Sequence, residues 1–382
     1  MSLAGLPPPR YDDAGTLAAV LPSVVTSLGA TGYAVSGTLE MLPSRRAVVV
    51  LVDGMGDDLL RRRGGHAPFL RGHLPAAYRI DCGFPSTTAT SMGTFGTGLP
   101  PGSHGLVGYE VLVPEADRIL NELSWENGPD PVRWQPCPTV FEVAEQQGIA
   151  VTRVGPGYFD GSGLTNAALR GGRFVAAAGL DARVQAALDA VRASSRALVY
   201  LYWGDLDKVG HVFGCESWEW GDELESIDAA LRRLVEQVPS DTAVHVTADH
   251  GMVDSPHELR LDLADHPDLL QGVRHVGGEP RCLQLYCAPG AAPDVLATWR
   301  ARVGERAWIS SRHETVAAGW FGAVRPEVTA RIGDVLVAMK DTFAIVHTGH
   351  TRPEILALRG LHGSVTPQER SIPLLRFPAR DG

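Results

Sequence analysis

Residues 47–54 read AVVVLVDG: six apolar residues, four of them valine, closed by Asp53 and Gly54. Polar and apolar positions do not alternate in this run, so a strand here must be covered on both faces, as in a parallel sheet. Related runs recur at Ala197–Tyr202 (ALVYLY) and Ala243–Thr247 (AVHVT), and Ala150–Val154 and Cys282–Tyr286 have strand character too. Between these runs, helical spacing predicts helices over Thr139–Gln147, Ala182–Ala193, Glu223–Gln237 and Ala292–Val303. Strands alternating with helices specify an α/β fold, a mostly parallel central sheet with helices on both faces. One domain over residues 1–382 is expected, with residues 1–40 packing on it as an N-terminal segment. Long loops rich in Pro, Gly and Asp are expected over roughly 100–135 and 252–281, and loops of that length are commonly functional.

Open parallel sheets bind ligands beyond the carboxyl ends of their strands, which makes the residue after each apolar run informative. Asp53 follows the first run, Asp249 and His250 follow AVHVTA, and Asp205-Leu206-Asp207-Lys208-Val209-Gly210-His211 follows ALVYLYWG. Carboxylates from three strands and imidazoles from two thus reach one edge. Asp and His together are the ligand set of zinc and similar divalent ions, and the absence of Cys from it argues against thiolate zinc or iron–sulfur clusters. Asp207 and His211 are four apart, which on a helical turn points both side chains the same way. A single Asp at a strand end is ordinarily a cap or turn former; three such ends with adjacent His are harder to read that way.

Phe84–Gly98 (FPSTTATSMGTFGTG) supplies hydroxyls where a loop enters a helix predicted over Thr88–Thr97. Ser86, Thr87 or Thr88 in this position either caps the helix or acts as a nucleophile. Near a helix N-terminus and beside a divalent ion, a Thr88 hydroxyl loses its proton readily and becomes a competent attacking group.

Composition narrows the function classes. The net charge of −10, from 34 basic and 44 acidic residues, opposes binding of a nucleic-acid polymer by the whole surface. Any phosphate handled here must be met by local cations. The opening MSLAGLPPPRYDD has neither the basic nor the apolar region of a secretory leader, and no apolar run reaches the roughly 18 residues of a membrane span. Five cysteines form no CxxC pair, as expected for a reducing, cytoplasmic setting.

Taken in order, VVVLVDGMG, FPSTTATSMGTFGTGLPPGSHGL, LYWGDLDKVGH, VTADHGM and GLHGS resemble the alkaline phosphatase superfamily, and within it the nucleotide pyrophosphatase/phosphodiesterase branch. The resemblance spans residues 47–363 and implies an alkaline phosphatase-like fold with two Zn²⁺ ions, Mn²⁺ being the alternative. It implies Asp53, Asp249 and His250 as ligands of one metal, which also binds the nucleophile Thr88, and Asp207, His211 and His362 as ligands of the other. His362 is picked out by the family pattern alone, above His347 and His350. The implied reaction is hydrolysis of a phosphodiester or pyrophosphate bond in a small nucleotide-like substrate through a phospho-threonine intermediate, by a monomer or homodimer. Phosphomonoester cleavage is the alternative, and an inactive metal-binding relative a more distant one. A metal-dependent mutase would need a large second domain, and no insertion of that size is present. The sequence departs from the family at Tyr109, where many relatives carry an Asn that contacts a phosphoryl oxygen; Tyr109 and Lys208 are the expected substrate contacts. Asp57 and Asp205 read as turn or helix-start residues, and Glu279 and Arg281 as a salt bridge or strand start. Trp203, Trp218, Trp220 and Tyr158 are candidates for a base-stacking face.

Overall fold

The computed structural model describes residues 2–32 and 39–380. Its centre is a seven-stranded sheet in the order Tyr78–Asp81, Ser371–Phe377, Thr242–Thr247, Arg46–Val52, Ala197–Trp203, Ala150–Gly155, Arg173–Ala176. The five strands from Thr242–Thr247 to Arg173–Ala176 pair parallel, and Ser371–Phe377 runs antiparallel to its two neighbours. The run that opened the sequence lies at the middle of this sheet, with every residue from Ala47 to Val52 buried.

Helices flank the sheet. In Leu180–Arg192, Val184, Ala187, Leu188 and Val191 are buried at the i, i+3, i+4, i+7 spacing of one helix face. Trp218–Gln237 packs beside it and starts earlier than the spacing predicts, because the Ser217 side chain caps its first turn by accepting from the Trp220 N–H. A reciprocal Thr139/Glu142 capping box opens Val140–Gln146. Thr88–Thr97 ends at Gly98 in the left-handed region, φ 68°, a conformation that favours glycine. Among the described residues no helix is long and apolar enough to cross a membrane.

Two expectations are refined. The strand predicted at Cys282–Tyr286 forms as Cys282–Cys287, but it lies outside the parallel sheet. It pairs antiparallel with Val273–Glu279 and Val335–Met339 in a separate four-stranded sheet completed by Ala307–Ser311. The turn through Pro280 and Arg281 leaves no room for the helical crossover that parallel pairing requires. Helix Ala292–Val303 forms at its predicted bounds and joins the core of this sheet through Val295, Trp299 and Val303. The long loops are partly structured as well: 100–135 contains a hairpin, Glu110–Val113 with Arg118–Asn121, and 252–281 contains the strand Val273–Glu279.

His245, midway along Thr242–Thr247, is buried with neither ring nitrogen hydrogen-bonded. Burial, and then the Arg376 cation opposite it in register, pushes its pKa down to about 4 from 6.5. The folded protein therefore holds His245 neutral where the unfolded chain takes up a proton. Its contribution is intact above pH 6.5 and erodes as pH falls toward 4, by up to about 3 kcal/mol. Replacing His245 with Leu should remove this loss. The melting temperature of the variant is expected to gain on the wild type between pH 7 and pH 5; a difference independent of pH would refute the account.

Candidate active site

Three adjacent parallel strands end at one edge. Arg46–Val52 delivers Asp53, Thr242–Thr247 delivers Asp249 and His250, and Ala197–Trp203 runs through Gly204 into the helix Asp205–Phe213, which carries Asp207 and His211 one turn apart. His362 arrives from the far end of the chain, just after Gly360–Leu361, which pairs with Val253–Asp254. Contacts join all of them. His250 Nε2 lies 3.4 Å from Asp53 Oδ1, 3.5 Å from Asp249 Oδ2 and 3.1 Å from Thr88 Oγ1. His211 Nε2 is 3.3 Å from Asp207 Oδ2, and His362 Nε2 is 4.0 Å from Asp207 Oδ1. The rings of His250 and His362 stack with centroids 3.7 Å apart.

Two clusters have the spacing of a metal site, with ligand atoms within 4.8 Å of one another: Asp53, Asp249, His250, and Asp207, His250, His362. The first is the grouping the resemblance implies. In the second, His250 stands where the resemblance puts His211, which lies 3.3 Å from Asp207 Oδ2 with its ring 5.2 Å from that of His362.

The electrostatics of this arrangement are unfavourable without a cation. Asp249 Oδ1 accepts the Gly54 and His250 backbone N–H groups at 3.1 and 3.0 Å, and Asp53 Oδ2 accepts the Tyr202 phenol. Asp53 Oδ1, Asp207 Oδ1 and Asp249 Oδ2 are buried with no hydrogen-bond partner. Burial, then the Asp249 and Asp207 charges, pushes the Asp53 carboxyl well above the usual range. Burial raises Asp249 too, with Asp207 adding to it against the opposing effect of His250. Unpaired buried carboxylates converging in this way are costly unless ions bridge them.

The imidazoles are set for the same purpose. Each directs Nδ1 to a backbone carbonyl: His250 to Gly251 at 3.0 Å, His211 to Gly360 at 2.7 Å, His362 to Ser86 at 2.9 Å. Donation from Nδ1 fixes the tautomer that leaves each Nε2 lone pair facing the carboxylates. Burial, then the neighbouring His250 and His211, pushes the pKa of His362 well down and keeps it neutral. Carboxylate oxygens with neutral imidazole nitrogens suit Zn²⁺ or Mn²⁺.

The hydroxyl stretch resolves into separate roles. Ser86 donates to the Ser364 carbonyl at 2.7 Å and accepts the Gly363 N–H at 3.2 Å. Thr87 is the N-cap residue, yet its side chain makes no capping bond; it hydrogen-bonds Glu279. Thr88 alone between Cys82 and Thr97 is partly open to solvent, and its hydroxyl faces His250. The capping explanation therefore fails for all three.

Glu279 and Arg281 part company. Arg281 is in a salt bridge, though with Glu369 and not Glu279, donating from Nε and Nη2 to the Glu369 carboxylate at 3.0 and 2.7 Å, with both groups fully buried. Glu369 also accepts the Ser364 N–H at 3.0 Å, which holds the segment carrying His362. Glu279 instead reaches the site, its Oε2 3.6 Å from His362 Nδ1. Tyr202 and Glu279 are the neighbours of the ligands that sequence reasoning missed. For Tyr202 a signal existed, since it shares a strand face with Tyr200 at the end pointing to Asp53.

A cavity of about 460 Å³ opens from Thr88, Asp53 and Asp207. Lys208 lies on its wall, with Nζ 3.0 Å from Asp205 Oδ1 and 3.4 Å from the Tyr158 hydroxyl. Of the anticipated stacking residues, Tyr158 lines this cavity, joined by Phe159 and Phe174, whereas Trp203 and Trp220 are buried in the core and Trp218 is exposed elsewhere. Tyr109 is not on this wall. It lines a second cavity of about 530 Å³ with Glu110 and Glu279, beyond His362.

The family model of type I phosphodiesterase / nucleotide pyrophosphatase matches residues 47–365. An uncharacterized pyrophosphatase/phosphodiesterase of Schizosaccharomyces pombe is 26% identical over 256 residues, covering 60% of this chain and 49% of that one. The chain thus spans about half the length of the curated relative it matches. Murine ectonucleotide pyrophosphatase/phosphodiesterase 5, solved as an inactive threonine-to-alanine variant in complex with AMP, superposes with a TM-score of 0.69 at 17% identity, covering 86% of this chain and 87% of that one. Phosphonoacetate hydrolase from Sinorhizobium meliloti 1021, solved with phosphonoacetate, gives 0.68 at 20% identity over 87% and 90%. At these identities the structural likenesses establish an alkaline phosphatase-like fold and nothing finer.

Proposed function

The chain belongs to the type I phosphodiesterase / nucleotide pyrophosphatase family, and from that premise we propose that it is a hydrolase of phosphodiester or pyrophosphate bonds with Thr88 as nucleophile. Asp53, Asp207, His211, Asp249, His250 and His362 would hold two divalent ions, zinc by preference. The observation that carries this reading is the convergence of three unpartnered carboxylate oxygens and the Nε2 atoms of His250 and His362 beside the Thr88 hydroxyl, on the cavity wall. Bound divalent ions supply Lewis-acid charge for the attacking and departing oxygens.

The chain's own residues supply the rest. Thr88 Oγ1 gives its proton to solvent and attacks phosphorus in line; the P–O bond opposite it breaks and the alcohol or phosphate departs, an alkoxide taking up a proton from water. This forms a covalent phospho-threonine that water then hydrolyses. Backbone N–H groups at the start of Thr88–Thr97 present the positive end of the helix to a non-bridging oxygen. The aromatic wall of Tyr158, Phe159 and Phe174 accommodates a planar substrate arm such as a nucleoside base. We place the enzyme in the cytoplasm, acting on a small molecule as a monomer or homodimer.

A monoester carries more phosphate charge than a diester and needs more cationic side chains around it. Among the described residues Arg153 and Lys208 are the only bases on the cavity wall. With zinc present, kcat/KM for bis-4-nitrophenyl phosphate is therefore expected to exceed that for 4-nitrophenyl phosphate at least about tenfold, the equivalent of one good contact. A strong preference for the monoester would overturn the diesterase assignment.

A further inference from the structure

The cavity beside Thr88 has an uneven charge distribution. Its acids, Asp53 and Asp207, sit at the metal end; away from them the only charged wall residues are Lys208 and Arg153. Lys208 is already engaged by Asp205. Among the described residues Arg153 makes no ion pair, and the Asp160 and Glu145 charges act on it only from beyond contact distance. It projects from Ala150–Gly155, one strand beyond Ala197–Trp203, level with Tyr200 and Phe174. Its Nε is buried without a hydrogen-bond partner, and its one hydrogen bond is a long one from Nη2 to the Gly172 carbonyl at 3.5 Å. The guanidinium also lies 5.6 Å from the Phe174 ring centroid, a loose cation–π contact.

A guanidinium has five N–H donors, and here the Nε donor is buried with no partner, a cost the fold does not recover internally. Burial lowers the pKa of Arg153, yet an arginine stays charged at any physiological pH. The cation is therefore retained on the wall of a cavity whose remaining lining is mainly apolar and aromatic.

We propose that Arg153 is a specificity determinant that binds an oxyanion, carboxylate or phosphate, on the substrate arm lying in this cavity. The inference rests on the reading of Thr88 and its neighbours as the phosphoryl site, and it narrows that reading. The arm would have a planar or apolar body against Tyr158, Phe159 and Phe174 and would end in negative charge. Arginine suits this role because its planar fork matches both oxyanions.

The test is a binding comparison that needs no turnover. Zinc-loaded Thr88→Ala protein would be titrated calorimetrically with phenyl phosphate and biphenyl phosphate, and with the counterparts of each that carry a para-carboxylate or a second phosphate. The two lengths allow for the span from phosphorus to Arg153, and the two anions show which source the site favours. A charge-assisted hydrogen bond should make at least one probe with the second anionic group bind about 10-fold or more tightly than its unsubstituted parent. Adding Arg153→Met or Arg153→Gln should bring that ratio to about one, while Arg153→Lys should keep part of it. Equal affinities in the parent protein would overturn the proposal, as would a ratio that survives both Arg153→Met and Arg153→Gln in protein of unchanged melting temperature. Failure of all six probes to bind would overturn this inference, and if the zinc-loaded wild type also failed to turn over bis-4-nitrophenyl phosphate the phosphoryl-site reading itself would fall with it.

Discussion

Thr88→Ala is expected to lower kcat for diester hydrolysis by about 10⁴- to 10⁶-fold, the scale on which covalent catalysis fails when its nucleophile is removed. The loss should come without loss of metal. Thr88 Oγ1 makes one polar contact in the site, to His250 Nε2 at 3.1 Å, and the carboxylates and imidazoles around it are held by other groups. Zinc content measured by atomic emission should therefore match the wild type. Fold should match too, because Thr88 begins its helix without capping it. Thr88→Ser retains a hydroxyl at the same place and should keep part of the activity, since what it lacks is only the methyl group that restricts the side chain to few rotamers. Acid quenching of the wild type during turnover should trap a phosphoryl group with its remaining ester arm on the peptide containing Thr88. Activity of Thr88→Ala within about tenfold of the wild type would exclude Thr88 as nucleophile and leave direct attack by water.

How much of this was legible in the sequence depended on whether a residue's role is local. Asp53, Asp249 and His250 stand directly after apolar runs and Asp207 in the first helical turn after a third, and strand ends in a parallel sheet are forced to one edge, so their convergence follows from pattern. His211 follows from its spacing to Asp207. His362 does not, because it stands in a short segment between Gly360–Leu361 and Pro367–Arg370 and is brought in by a two-residue pairing with Val253–Asp254. Local pattern carries no trace of that pairing. The carbonyls of Ser86, Gly251 and Gly360 that orient the three imidazoles are equally invisible, since any residue has a carbonyl. Cys282–Cys287 shows the other limit. Its apolar run marks it as a strand, but the run is the same whether its partners are parallel or antiparallel, and the turn at Pro280 and Arg281 decides between them. Arg153 reads as an ordinary charged residue of a strand until its Nε is known to be buried without a partner on a cavity wall.

Stripping the divalent ions should abolish turnover and lower the melting temperature by on the order of 10 °C, with zinc restoring both. Two ions each at about 1,000 times their dissociation constant add about 4 kcal/mol apiece, and for a chain of this size that is a shift of this order. A sharper form of the experiment uses the sign of a single substitution. In the metal-free protein Asp53, Asp207 and Asp249 repel one another across buried, unpartnered oxygens. Asp249→Asn keeps Oδ1 for the Gly54 and His250 N–H groups and replaces the unpartnered, buried end of the carboxylate with an amide that can donate to Asp53. It should therefore raise the melting temperature of the metal-free protein. In the zinc-loaded protein the same change removes a negatively charged ligand, so zinc should bind more weakly, by 10-fold or more in a chelator competition, and the melting temperature should fall. One substitution would thus stabilise one state and destabilise the other. A cluster of acids that merely formed salt bridges or caps would show the same sign in both states and no response to chelator, and that result would remove the physical basis for placing ions beside Thr88.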